Sequence, residues 1–247
     1  MKEIVGSTVE ETKLIKAIQR KMGILDNGIV GTDTMSSIAI KLGADAFPLA
    51  VKMYGCPTVI AKSVLPFCPS VPSNGIAQYA YTILGSFTEP RATSPCSILI
   101  ANGKVVHSYS CHAWKGQPES VLFQLKDGTL GIKRCTYTNE LPEGVVWAVG
   151  GMGLLGNFNP TLEGFTGANA DVMRRCGHTV LGYKNGFVYG ICFGNHTTDQ
   201  IQTILRNKFM LDGAIQLDGG GLYQYNLKDM TYKPSMKCGY AIQFVGG

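Results

Sequence analysis

The sequence predicts an α+β fold, in which a small helical module precedes a mostly antiparallel sheet domain with covering helices. Two observations predict the sheet domain. Short strand-like segments joined by glycine-containing turns recur after residue 77, and one segment of helical periodicity lies among them. A third observation, helical periodicity within residues 1–45, predicts the preceding module.

The N-terminal module is predicted to be a helical hairpin. Thr8 and Glu11 form a capping-box pattern at the start of its first helix. Apolar residues then follow at helical spacing, at Leu14, Ile15, Ile18 and Met22. A turn signal at residues 26–28 separates this helix from a second predicted helix, which Gly43 ends.

Residues 46–76 contain five of the eleven prolines, and we interpret them as a Pro-rich connecting segment. The sheet domain is then predicted to span residues 77–247. Within it, three pairs of strands flank turns of the kind that favours hairpins. These turns are Asn102-Gly103, Lys126-Asp127-Gly128-Thr129 and Lys184-Asn185-Gly186. A helix is predicted over residues 198–210.

Composition and charge restrict the classes of function. The chain has 247 residues, of which 45% are hydrophobic and 16% charged, as in an ordinary globular protein. No apolar run reaches the roughly 18 residues that suggest a membrane span, and the first residues lack a signal-peptide pattern. We therefore expect synthesis in the cytoplasm. The net charge of +5 suits an anionic partner but is too small to indicate nucleic-acid binding.

The eight cysteines form no Cys-x-x-Cys pair, so a zinc knuckle is not expected. The four histidines likewise lack the spacing of known metal motifs. We expect neither a metal nor a cofactor.

The strongest candidate for a functional site is a carboxylate followed by three glycines. Residues 214–217 alternate as in a half-buried strand, which delivers Asp218 into Gly219, Gly220 and Gly221. Consecutive glycines weaken a strand, and they are useful where a ligand approaches the backbone or where amides surround an anion. A tight turn with a solvated aspartate is the alternative.

Two parts of the chain resemble known families. Residues 18–34 resemble the peptidoglycan-binding repeat of cell-wall hydrolases, with its Leu-Gln helix and Asp-Gly-x-x-Gly-x-x-Thr loop. Residues 77–245 resemble the phosphodiester glycosidase family, whose members have a domain similar to N-acetylglucosamine-1-phosphodiester alpha-N-acetylglucosaminidase. The matching blocks are residues 83–87, 149–155, 178–182 and the predicted helix followed by 217–221.

The sequence departs from the second family where arginines are expected. His178 stands in place of one arginine, and His196 falls where another would follow the next strand. Arginine holds phosphate with a permanent charge, whereas an unperturbed histidine is charged only below about pH 6.5. We therefore expect any activity to fall as the pH rises past about 7. Arg174 or Arg175 could supply a permanent charge instead.

The resemblance implies roles for particular residues. Asp218 is expected to act as acid, base or nucleophile, and His178 and His196 to bind or protonate phosphate. Substrate contacts are expected from Gly219, Gly220, Gly221, Gly150, Gly151, Asn195, Thr179 and Arg175.

Three functions follow as hypotheses. The first is a cell-wall-directed hydrolase, similar in arrangement to phage lysins, that cleaves a sugar-1-phosphate or related glycan linkage. The second is a non-catalytic protein that binds a phosphorylated sugar or a nucleotide. The third is a structural wall-associated protein.

Overall fold

The chain folds into two compact units, Met1–Ala50 and Val51–Gly247. Our computed structural model describes residues 4–5, 9–22, 28–30, 64–66, 82–88, 95–223, 225–226, 231–232 and 240–243. No helix within these ranges is both long and apolar enough to cross a membrane.

The first unit contains the predicted amphipathic helix. Helix α1 (Val9–Met22) carries acidic residues in its first turn and basic residues in its last, as the helix dipole favours. Strand β1 (Ile4–Val5) pairs antiparallel with β2 (Ile29–Val30). The buried Gln19 side chain accepts the backbone N–H of Gly28 at 2.9 Å, which links the helix to the residue before β2. The second predicted helix lies outside the described residues.

The second unit consists mostly of antiparallel strands. They are β3 (Val64–Pro66), β4 (Thr82–Leu84), β5 (Leu99–Ala101), β6 (Lys104–His107), β7 (Glu119–Leu125), β8 (Leu130–Cys135), β9 (Val145–Leu155), β10 (Cys176–Lys184), β11 (Phe187–His196), β12 (Gly213–Gly219), β13 (Tyr225–Asn226), β14 (Thr231–Tyr232) and β15 (Tyr240–Gln243). Strands β5 to β12 form an eight-stranded sheet, and a five-stranded sheet has the order β14-β13-β4-β15-β3.

The three predicted hairpins are confirmed as β5–β6, β7–β8 and β10–β11. Two of them turn on an Asn-Gly pair in which both residues have positive φ, 52° and 72° at Asn102 and Gly103. This geometry matches the twist of the flanking strands, and asparagine and glycine tolerate it best. Strand β3 lies in the segment predicted to connect the domains, and it pairs with β15.

Helix α2 (Thr198–Ile204) covers the large sheet and begins where the sequence predicts. Thr197 caps it, because its side chain accepts the N–H of Gln200 at 3.4 Å and the Gln200 side chain accepts the N–H of Thr197. The segment Leu205–Phe209 continues as a π-helical turn, which ends at Met210 with φ of 48°. Gln202 reaches across to the backbone carbonyl of Leu154, at 2.8 Å, and thereby ties the helix to β9.

Strand β9 organises the large sheet because its partners change along its length. Its first half pairs with both β7 and β5, and its second half pairs with β12. The change from β5 to β12 falls at Gly150 and Gly151. The end of β12 therefore lies near the start of β5, and this arrangement positions the candidate site.

Candidate functional site

Asp218 lies in a β-bulge at the end of β12. Along the β10–β12 pair, Val180 faces Gln216 and His178 faces Gly219, so β12 holds one residue more than β10. The N–H of Asp218 instead donates to the carbonyl of Gly85, at 3.1 Å, just beyond β4. Bulges redirect side chains and are frequent beside active sites.

The Asp218 carboxyl has a perturbed pKa. Burial raises it from 3.8 to about 6, against the opposing effect of hydrogen bonds from Gly219 and Thr88. Oδ1 accepts the N–H of Gly219 at 2.7 Å. A group with this pKa is mostly ionised at neutral pH and yet remains a moderately strong base. The carboxylate is thus suited to accept a proton or to attack an electrophile.

The glycines that follow Asp218 are required by close packing and by backbone conformation. A Cβ at Gly219 would overlap the carbonyl of Gly177, and Gly220 has φ of +57°. The Gly219 amide is engaged by Asp218, and the Gly220 amide lies within hydrogen-bonding reach of the Cys176 thiol. Two of the three amides expected to face a ligand therefore have partners within the protein.

Arg174 places a permanent positive charge at this glycine turn. Its Nη2 lies 3.3 Å from the position that a Cβ of Gly220 would occupy. The side chain is half exposed and forms an ion pair with Asp171, which is itself exposed. An exposed pair of this kind is weak, so the guanidinium can exchange Asp171 for a bound anion at little cost.

His178 is buried, and its ring nitrogen Nε2 is engaged inside the protein. Nε2 lies 2.9 Å from the carbonyl oxygen of Arg174 and 2.8 Å from that of His196. Because carbonyl oxygens only accept, Nε2 carries the hydrogen and donates to both. Burial lowers the pKa of His178 below its usual value of 6.5.

His196 is also buried and lies at a second bulge. Along β10–β11, Cys176 faces His196 and His178 faces Phe193, so β11 holds the additional residue, and Asn195 has φ of 47°. His196 Nδ1 donates to the carbonyl of Gly194, and burial lowers the pKa of this histidine. Burial disfavours the charged form of both rings, which argues against a role in which His178 and His196 hold phosphate by their charge.

The remaining predicted contacts fall at different places. The exposed Arg175 donates to the carbonyl of Asn195 at 2.9 Å, at the β11 bulge. Thr179 is buried between the two bulges. A Cβ at Gly150 would overlap Oε1 of Glu119, and one at Gly151 would overlap the backbone oxygen of Gln216. These two glycines therefore permit close packing of β9.

The structure adds residues that the sequence analysis did not select. Thr88 binds Asp218, and Cys176 lies against Gly220. The block at residues 83–87 pointed to the strand end that brings Thr88 to the site, but neither side chain belongs to a recognisable motif. Among the described residues, no three His, Cys, Asp or Glu side chains converge in a way that could hold a metal ion.

A second cluster contains Cys111, His112 and Asn169, the residue types of a cysteine-protease triad. Nδ1 of His112 donates to the carbonyl of Glu163 at 2.8 Å, so it cannot accept the thiol proton of Cys111. Burial and the neighbouring Glu119 raise the pKa of Cys111 well above 9.0. The cluster therefore does not provide an activated nucleophile.

A comparison with solved structures supports the fold. The structure is similar to the catalytic domain of zebrafish N-acetylglucosamine-1-phosphodiester alpha-N-acetylglucosaminidase, auto-inhibited by its pro-peptide. The TM-score is 0.58 at 16% identity, over 74% of this chain and 73% of that one.

A hypothetical protein from Synechocystis aligns less well, with a TM-score of 0.43 at 11% identity, over 78% of this chain and 56% of that one. No known family profile and no curated protein matches the sequence. The similarity to the zebrafish enzyme is a distant fold relationship.

Proposed function

We propose that the second unit is a hydrolase of the phosphodiester glycosidase type, with Asp218 as its reactive carboxylate. The observation that carries the proposal is that one glycine turn holds both the partly buried carboxyl of Asp218, whose pKa is raised, and the guanidinium of Arg174, which lies beside Gly220. Perturbed carboxyls of this kind concentrate at functional sites. The fold similarity to the zebrafish enzyme supports the same reaction class.

The proposed substrate is a sugar-1-phosphate diester or a related glycan linkage. Asp218 accepts a proton from water, the water oxygen bonds to the anomeric carbon, and the bond from that carbon to the phosphate oxygen breaks. The sugar leaves as a reducing sugar and the phosphate as a monoester. Arg174 holds the phosphate charge, for which the guanidinium is well suited.

A phosphate leaving group explains why one carboxylate suffices in this scheme. Most glycosidases use a second carboxylic acid to protonate the departing oxygen. A phosphate monoester has a second pKa near 6, so it departs as a stable anion without that proton. Thr88, which binds Asp218, would keep the carboxylate oriented.

We further propose that the enzyme acts on cell-wall material, as in the lysin-like arrangement. This part rests on the resemblance of residues 18–34 to a peptidoglycan-binding repeat. Tethering to the wall would raise the local substrate concentration. Asn195 and Arg175 would then contact the sugar or the remainder of the glycan.

A non-catalytic protein that binds a phosphorylated sugar or a nucleotide is the second candidate. The observation that favours it is that burial lowers the pKa of His178 and of His196, at the positions where the phosphodiester glycosidase family has arginines. Such a protein would keep the Arg174 contact without turnover.

Substitution of Asp218 separates the two candidates. We expect wild type to release a reducing sugar from a sugar phosphodiester. The rate of release should be at least about 100-fold lower in Asp218→Asn. Asp199→Asn is the matched control, because Asp199 is an exposed aspartate at the start of α2. Saturable binding without product, equal in wild type and Asp218→Asn, would instead establish the binding protein.

A further inference from the structure

Three segments of the second unit meet around the ring of His178. The ring belongs to β10 and is almost fully buried, at 1% exposure. In the sheet, His178 faces Gly219 on β12 and Phe193 on β11. Its Nε2 joins Arg174, two residues before β10, to His196, the last residue of β11, through the two backbone carbonyls.

The two bulges explain why a side chain is needed at this point. A bulge interrupts the regular exchange of backbone hydrogen bonds between neighbouring strands. Both partners of β10 are bulged at the level of His178. The carbonyl of His196 lies in a buried hydrogen bond, where a missing donor is costly, and the imidazole N–H supplies that donor while it also reaches the carbonyl of Arg174.

The hydrogen bond from His178 also fixes the backbone of Arg174, from which the guanidinium side chain extends. Arg174 lies outside the sheet, and its N–H donates to the carbonyl of Asp171. Its carbonyl is held by His178, and its guanidinium lies beside Gly220. Loss of the imidazole donor would free the backbone of Arg174 and let the guanidinium move away from the glycine turn.

We propose that His178 is a positioning residue, which acts as a neutral N–H donor to hold Arg174 over the glycine turn and does not itself contact the anion. The inference rests on the proposed anion-binding role of Arg174. Among the described residues, the charged or titratable groups that face His178 are Arg174, Cys176 and His196.

Two substitutions test this role. His178→Gln keeps an N–H donor at about the same distance from the backbone, and His178→Met removes the donor while it preserves volume. With a sugar phosphodiester as substrate, we expect His178→Met to raise KM about tenfold and to change kcat less than about twofold. His178→Gln should restore KM to within about twofold of wild type, and the dependence of its activity on pH should match that of wild type.

Two further readouts do not require turnover. The Nε signal of Arg174, assigned with Arg174→Lys, should shift in ¹⁵N spectra of His178→Met and return in His178→Gln. Calorimetry with inorganic phosphate should show weaker binding by His178→Met than by wild type, and binding by His178→Gln close to that of wild type. Thermal unfolding of each variant establishes that it is folded, and His178→Gln suffices for the test if His178→Met does not fold.

The outcomes separate this inference from the proposed function. The positioning role would be overturned if both the Arg174 signal and KM were unchanged in His178→Met. It would also be overturned if a folded His178→Gln lost activity, or if its activity no longer depended on pH as that of wild type does. Phosphate affinity unchanged in Arg174→Ala would instead overturn the anion-binding role of Arg174. In that case the Arg174 signal still reports whether His178 holds the residue.

Discussion

At the scale of single residues, the same burial has opposite effects on the groups of the site. Burial disfavours charge, so it raises the pKa of Asp218 and lowers those of His178 and His196. Asp218 becomes a better base, whereas the histidines take up a proton less readily and serve as hydrogen-bonding groups. The titration that governs activity near neutral pH is therefore expected to be that of the carboxyl.

The direction of the pH dependence follows from this assignment. If Asp218 acts as a base, activity requires its ionised form and should rise as the pH increases through about 6, the pKa of the carboxyl. It should then remain level to at least about pH 8, because neither histidine needs its charge. Initial rates with a sugar phosphodiester between about pH 4.5 and pH 8 measure the profile. A rate that falls through pH 7 would assign the titration to a histidine instead.

At the scale of single elements, the glycine turn combines backbone conformation with a functional neighbour. Gly220 has φ of +57°, and the guanidinium of Arg174 lies beside it. Gly103, in the β5–β6 turn, has φ of +72° but no atom within 4 Å of the place where a Cβ would stand. The two glycines share the conformational requirement and differ in their surroundings.

This pair provides a matched test of the turn. We expect Gly220→Ala and Gly103→Ala each to lower the free energy of unfolding by about 1–2 kcal/mol, because alanine is strained at positive φ. Only Gly220→Ala should also weaken phosphate binding, because its methyl group displaces Arg174. Denaturant unfolding and calorimetry measure both effects. Equal phosphate affinity in the two variants would show that the turn does not position Arg174.

The elements that sequence reasoning predicts are those fixed by local chemistry. The Asn-Gly turns and the capped start of α2 depend on residues a few positions apart, and each is found where expected. The bulges at Asp218 and Asn195 depend on the register of three strands, which no local pattern encodes. Asp218 could be selected from the sequence because three glycines follow it directly, whereas the role of His178 depends on the bulges and could not.

At the scale of the whole molecule, the second unit buries several carboxyls in its sheet. Glu119 is fully buried, and its Oε1 accepts the N–H of Ile98 at 2.5 Å. The space for its carboxyl exists because residue 150, far away in the sequence, is a glycine. Burial raises the pKa of Glu119 to about 8 and also raises that of Glu163. With Asp218, three carboxyls thus bind a proton more tightly in the folded chain.

These carboxyls determine how stability changes with pH. A carboxyl whose pKa is raised on folding binds more protons in the folded state, so stability falls as the pH rises from the unfolded pKa to the folded one. For Glu119 this window runs from 4.5 to about 8. We therefore expect the free energy of unfolding to decrease between about pH 5 and pH 8, and Glu119→Gln to flatten most of that decrease.

Urea unfolding at several pH values measures this effect, and Glu140→Gln is the control, because Glu140 is exposed. The control variant should keep the slope of wild type. A slope that persists in Glu119→Gln would assign the loss of stability to Glu163 or Asp218. A stability that rises with pH would mean that the buried carboxyls are ionised and well compensated in the folded chain. Since Glu119 is expected to stay protonated where Asp218 is already ionised, the fold loses stability in the same range in which the proposed catalyst becomes active.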